Sequence, residues 1–205
     1  MDVFLIALFV AAGLHLAKVR YQAARIALLG SYLAPFQLEK LMENLTQGYL
    51  RALGEADAER RAQIWALLAS TEDTLVGQVQ RLAQSLPKDG PEQLRVSTLA
   101  LALPYADRLL PSATFDLRAA LQLHAQGIAA VVRNSAGLGP RDKAFMLSAE
   151  LLLLQHTCHW FCKSRTVASA RLLARHRTPY EQVLAAVSPA TRRAYQQLVQ
   201  GQSRG

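Results

Sequence analysis

The chain has 205 residues, 51% of them hydrophobic, a net charge of +8 and two cysteines, with a mean hydropathy of +0.10. The roughly 180 residues beyond the N-terminal block suffice for one domain with its own core. Ala, Leu, Gln, Arg and Glu dominate, all good helix formers, and no long stretch of alternating β-branched residues is present, so a sheet protein is excluded and the expectation is all-α.

Residues 3–17 (VFLIALFVAAGLHLA) carry no formal charge, and Lys18, Arg20 and Arg25 follow with no acid before Glu39. An uncharged apolar block closed by cations reads as a membrane-inserted helix with its positive end on the cytoplasmic side. Crossing a hydrocarbon core of ~30 Å takes roughly 17–25 helical residues. The block reaches that length if Lys18 snorkels and the span extends to Val19. A cleaved signal peptide would put its positive charge before the apolar run, where this chain has Asp2. The expectation is therefore an anchor and basic juxtamembrane segment over 1–30, one helical domain over 31–200 and a disordered tail over 201–205. The orientation follows: a single pass through a bacterial inner membrane, N-terminus outside and domain cytoplasmic. His15, mid-anchor, is a candidate for facing a protein partner in the bilayer.

Pro35 suits a first helical turn, and Leu38, Leu41, Met42, Leu45, Tyr49 and Leu53 recur at helical spacing up to Gly54. Asp57 is a candidate N-cap for a helix with the stripe Ile64, Leu67, Leu68, Leu75, Val79 and Leu82. Residues 87–91 (PKDGP) form a loop. Residues 92–113, with three prolines in or beside them, are expected to hold one or two short helical turns. Residues 96–103 are the nearest approach to a strand, and their Ala-Leu content makes them a poor one. The next helix, over 114–133, buries Leu117, Leu121, His124, Ile128 and Val131, and the run from Asn134 to Pro140 ends it.

The domain's central helix is expected over about 140–162, with a possible continuation to His176. From 145 to 154 it is apolar almost all round, which implies burial on every side. Thr178-Pro179-Tyr180-Glu181 reads as a capping box, and Ser188-Pro189 opens a last helix.

Three features are candidates for function. The first is His156, Cys158, His159 and Cys162 near the end of the central helix, residue types that ligate soft metals. Cys158 and Cys162 continue the face of Leu147, Leu151 and Leu154, and the spacing is neither CxxC nor CxxCH. Buried packing thiols are the simpler reading, a metal- or haem-binding redox or sensor protein the alternative, and no cofactor is expected. The second is Glu150, a carboxylate in an apolar helix, which requires a partner; an Arg from another helix is the ordinary one. The third is charge. Residues 1–56 hold five basic and four acidic groups, residues 57–136 eight of each, and residues 137–205 ten basic and three acidic. Lys163, Arg165, Arg171, Arg175 and Arg177 run with no acid between them. With Lys18, Arg20 and Arg25 they are the expected contacts to an anionic leaflet or an acidic protein surface.

Gly-rich phosphate loops, GxSxG, HExxH, EF-hand loops and Glu-x-x-His pairs are all missing. Arg171 and Arg175 stack at i,i+4, while Lys163, Arg165 and Arg177 project elsewhere, so no groove-facing stripe forms and no nucleic-acid reading module is present. The leading expectation is a non-enzymatic, membrane-anchored helical protein, an interaction or accessory subunit that touches lipid through residues 3–19. A soluble, basic, nucleic-acid-associated regulator remains as a second alternative, and it requires residues 3–17 to be core.

Overall fold

In the computed structural model the described residues are 2–87, 91–100 and 103–200. The expected tail over 201–205 and the middle of the 87–91 loop lie outside them. The protein is all-α. Its helices are α1 (Asp2–Leu33), α2 (Leu38–Gly54), α3 (Ala58–Ser85), α4 (Ala106–Leu109), α5 (Leu117–Arg133), α6 (Pro140–Cys162), α7 (Arg165–His176), α8 (Tyr180–Ala186) and α9 (Pro189–Gln200). Helix α6 is the centre: α5, α7, α8, α1 and α2 all pack on it.

Helix α1 does not stop at Gly30. It runs unbroken to Leu33, Pro35 lies in the following turn, and α2 starts only at Leu38. Helices α2 and α3 form an antiparallel pair through Leu45, Tyr49 and Ala52 on one side and Leu68, Leu75, Val79 and Leu82 on the other. Gly48 lets them approach closely, since a Cβ there would stand 2.3 Å from Leu68 Cδ2. Asp57 caps α3 as expected, its carboxylate accepting from the Arg60 amide at 2.8 Å. Leu67 departs from the expected stripe and is exposed, because its angle on the helix carries it away from Leu68 and Leu75.

The 92–113 region holds three short helical turns where one or two were expected: 3₁₀ turns over Pro91–Leu94 and Pro111–Ala113, and the short α4. It also contributes one strand of a two-stranded sheet that the composition argued against, the other strand taking residues 114–116, where the next helix was expected to begin. Strand β1 (Arg95–Ser97) pairs antiparallel with β2 (Thr114–Asp116), Val96 opposite Phe115. Three-residue strands show no alternation long enough to read; tertiary packing selects them. Val96 and Phe115 are both buried, the Phe115 ring meets Trp160 edge-on at 5.1 Å, and Trp160 Nε1 donates to Ser97 O at 2.8 Å.

Helix α5 buries all five expected residues and ends at Asn134 in the left-handed conformation, where a short polar side chain is tolerated. Helix α6 ends at Cys162 without continuing to His176, because Ser164 caps a new helix by accepting from the Val167 amide. The 178–181 capping box does not form: Pro179 occupies the N-cap position of α8, and the Thr178 hydroxyl donates back to His176 O. Ser188 does cap α9, its Oγ accepting from the Thr191 amide at 3.1 Å.

Two apolar clusters share α6. Leu147, Leu151 and Leu154 face α1–α3 and α5, with Cys158 and Cys162 packed against them. Ala149 and Leu153 face Tyr180, Val183, Val187 and Tyr195.

Candidate functional site: anchor junction and basic cleft

Helix α1 is two helices in one. Residues 3–20 touch almost nothing: Val3 is 82% exposed, Phe4 and Phe9 are each 73% exposed, and only Ala17 is partly covered. From Tyr21 onward one face is packed, with Gln22, Arg25 and Leu29 buried and Leu28, Tyr32 and Leu33 half-buried. Helix α1 is long and apolar enough over Val3–Leu33 to cross a membrane, with a mean hydropathy of 1.8 in its 18-residue apolar window. The uncovered 3–20 portion alone spans about 27 Å at 1.5 Å per residue, against a hydrocarbon core of ~30 Å. Residues 3–17 are therefore not packed in the core of this chain.

Arg25 is a correction to the sequence reading. It is not a surface cation; it is 7% exposed and fastens α1 to the domain. Its Nε donates to Phe161 O and its Nη2 to Arg95 O, both at 2.6 Å. Nη1 donates to Tyr21 OH at 2.7 Å and lies 3.5 Å from Asp107 Oδ2. Phe161 sits in the last turn of α6, where carbonyls lack helical partners and the helix dipole is negative, so the end of the central helix selects a cation. A buried charge needs such partners.

Around this lock, α4 and the preceding turn run beside α1 toward its free end. Asp107 meets Arg25, the Tyr105 ring meets Tyr21 edge-on at 5.1 Å, and Leu103 lines the same small cleft as Lys18. Tyr105 holds φ 60, an uncommon conformation for a side chain other than Gly, Asn or Asp. The Tyr21 contact on one side and the Asp107–Arg25 pair on the other hold it there. Lys163 joins this junction too, its Nζ donating to Gln22 Oε1 at 2.9 Å.

The remaining cations of the 163–177 run are exposed and divided. Arg165 lies over the rings of Trp160 and Tyr180, 5.6 and 5.2 Å from their centroids. Arg177 ends α7 in the left-handed conformation, its amide bonded to Leu173 O. Arg171 and Arg175 line a cleft of about 490 Å³ between α6 and α7, with His156, His159 and His176. Arg171 Nη1 reaches His159 Nδ1 at 3.4 Å. Burial first, then Arg171 and Arg175, push the His159 pKa down, so the imidazole there is neutral and accepts from the guanidinium. Burial likewise lowers His176, whose Nε2 bonds Gln155 Oε1 at 3.0 Å.

The His/Cys cluster separates on the helix surface. His156 turns toward α7 and α8, Nε2 on Ser169 Oγ at 3.0 Å and its ring 4.5 Å from Tyr180. Burial lowers its pKa to about 4. Cys158 and Cys162 turn toward α1, and burial pushes the Cys158 thiol up to about 12 and raises Cys162 as well. A metal ligand is a thiolate; these environments favour the thiol. Among the described residues no group of three or more His, Cys, Asp or Glu side chains is placed to share a metal ion.

Among the described residues Glu150 is paired with no arginine. It is fully buried, and Oε1 accepts from the Ser188 amide at 3.0 Å, at the start of α9, where unpaired N–H groups and the dipole favour a carboxylate. Burial still raises its pKa. His124, Thr157 and Tyr195 form a second buried network that periodicity alone did not reveal beyond His124. Thr157 Oγ1 donates to Leu153 O at 3.0 Å, and its single proton is thereby used. His124 Nε2 at 2.9 Å and Tyr195 OH at 3.0 Å must therefore both donate to it. His124 is the Nε2–H tautomer, with Nδ1 bare, and burial lowers its pKa to about 3. Both networks are buried.

Compared with known proteins, the chain matches no family model, no curated protein and no solved structure.

Proposed function

We propose that this protein is a non-enzymatic, membrane-anchored accessory domain, held by residues 3–19 in a bacterial inner membrane with its helical body on the cytoplasmic face. The observation that carries this reading is the uncovered apolar half of α1, continuous with a half that is locked into the domain. An apolar helix exposed on all sides is stable in lipid and costly in water. Because α1 is one unbroken helix, the anchor fixes the height and tilt of the body as well as tethering it.

The junction fits a membrane–water interface. Lys18 and Arg20 follow the apolar stretch, Lys163 joins them from α7's approach, and the Tyr21–Tyr105 pair sits where aromatic side chains favour headgroups. The cations face the leaflet and orient the domain inward. The exposed Arg165, Arg171, Arg175 and Arg177 supply the surface for an acidic protein partner or the anionic leaflet.

Reporter fusions test the orientation. A fluorescent protein fused after Gly205 is expected to be bright, and alkaline phosphatase at the same position inactive. An active phosphatase would place the domain outside and overturn the topology.

A further inference from the structure

A groove of about 430 Å³ runs between α1, α2 and α6, within the ~300–1,000 Å³ typical of small-molecule pockets. Leu29 and Leu33 of α1, Met42 of α2, and Leu154 and Cys158 of α6 supply apolar lining. Lys163, Arg171 and His159 lie along it, with Glu39 the one acid among the lining residues. His159 and Arg171 also line the cleft between α6 and α7, where Arg175 adds a second guanidinium. The two hollows thus meet at Gln155, His159 and Arg171.

Neither Arg171 nor Arg175 has a carboxylate within ion-pair distance among the described residues. In the cleft between α6 and α7 their neighbours are neutral donors and acceptors, His159, Gln155 and His176, while Glu39 and Glu43 line an adjoining hollow with Arg175. The Cys158 thiol, held protonated by burial, leaves that wall apolar. Two guanidiniums without a carboxylate at ion-pair distance, Arg171 on the wall of an apolar groove whose one acid is Glu39 and Arg175 in the adjoining cleft, are complementary to a molecule with a long apolar tail and a negative head.

We infer that this groove binds a single-chain anionic amphiphile of the fatty-acid or alkyl-phosphate class, its chain against Leu33, Met42 and Leu154 and its head on Arg171 and Arg175. The site is separate from the lipid-exposed arm, and the inference stands whether or not that arm crosses a bilayer. Head and tail contribute independently: guanidinium contacts select the charge, and the groove selects a chain over a free anion.

Photolabelling tests it on the full chain in nanodiscs of zwitterionic lipid. The probe is a twelve-carbon carboxylate carrying a diazirine near its chain end. Adducts are expected on the peptides that hold Met42 and Leu154. Dodecanoate and dodecyl phosphate should compete, while dodecanol and inorganic phosphate should not. Replacing both arginines, Arg171→Gln with Arg175→Gln, should reduce groove labelling about tenfold with the helical circular dichroism unchanged. Met42→Trp, which fills the groove and leaves the cations in place, should reduce it as well. Labelling confined to residues 3–20 would overturn the groove while leaving the anchor reading intact. Equal competition by dodecanol, or absence of adducts on α2 and α6, would also overturn it.

Discussion

Arg25 donates from Nε to the carbonyl oxygen of Phe161 at 2.6 Å while its guanidinium carbon lies 3.9 Å from the centroid of the Phe161 ring. One side chain on α1 therefore satisfies the exposed end of the central helix electrostatically and packs on it. Removing it takes a donor from Phe161 O and from the half-buried Arg95 O, and the counter-charge from the carboxylate of Asp107, which is 3% exposed. Breaking a buried pair from one side costs ~3–5 kcal/mol. Arg25→Ala is expected to lose stability of that order in denaturant unfolding and to expose residues 21–33 to proteolysis. Arg25→Lys should recover only part of it, since an ammonium cannot reproduce the planar fork of donors. Unchanged stability and protection in Arg25→Ala would show that α1 docks without the lock.

Stability should fall as pH drops below 6.5. His124 and His156 have folded pKa values of about 3 and about 4, below their ordinary 6.5, because burial disfavours the imidazolium. Between those values the unfolded chain takes up protons that the native state refuses. The stability tied to each histidine is complete above pH 6.5 and is lost as pH falls toward 4, at up to ~1.4 kcal/mol per pH unit. Glu150 acts in the opposite sense. Its raised pKa means the native state holds a proton longer, so its contribution is present below about 4.5 and declines as pH rises. Urea unfolding at pH 7, 6 and 5 reads the sum, and His156→Gln should flatten the slope between pH 6.5 and 5. A flat wild-type profile would mean these imidazoles titrate normally.

Gly127 on α5 makes room for the Glu150–Ser188–Thr191 network. A Cβ at this position would stand 2.3 Å from Thr191 Oγ1 and 2.8 Å from Glu150 Oε2. Overpacking costs ~1–3 kcal/mol, against a gain of at most ~1 kcal/mol for Ala over Gly in a helix. Gly127→Ala should therefore lower the unfolding midpoint. Glu150→Gln, which keeps an acceptor for the Ser188 amide, should stay within about 1 kcal/mol of wild type and become relatively more stable as pH rises. An Ala at 127 that stabilises the protein would show that α5 and α9 can separate freely.

Cys158 and Cys162 are expected to behave as packing residues. Replacement of either by Val should cost no more than ~1.5 kcal/mol, and purified protein should carry no stoichiometric zinc, iron or haem. Metal that disappears on Cys162→Ser would restore the redox or sensor reading.

The fold was legible wherever apolar periodicity ran for three turns or more. The stripe of α5 follows directly from spacing; that of α2 holds except at Leu53, which is exposed, and α6 is buried along most of its length but not on every side, since Phe145 is exposed. Asp57 and Ser188 read correctly as caps because their partners lie three residues away. What stayed hidden was set by distant contacts. Arg25 reads as a juxtamembrane cation like Lys18 and Arg20; only the end of α6, 136 residues later, makes it a buried lock. The β1–β2 pair is too short to show alternation and is held by Trp160. Glu150 announced itself as needing a partner, but the partner is the amide end of α9 and not an arginine. The meeting of Arg171 and His159 at the mouth of the groove joins two helices across a break at Lys163 and Ser164 that the charge run did not reveal.

The central claim is that residues 3–19 lie in a membrane, and fractionation tests it most directly. Wild-type protein is expected in the membrane pellet, resistant to alkaline carbonate and released by detergent. Phe9→Arg, with a charge near the middle of the uncovered arm, should lose ~2.5–3.5 kcal/mol of insertion free energy and move toward the soluble fraction. Wild-type protein recovered in the soluble fraction without detergent would contradict the account.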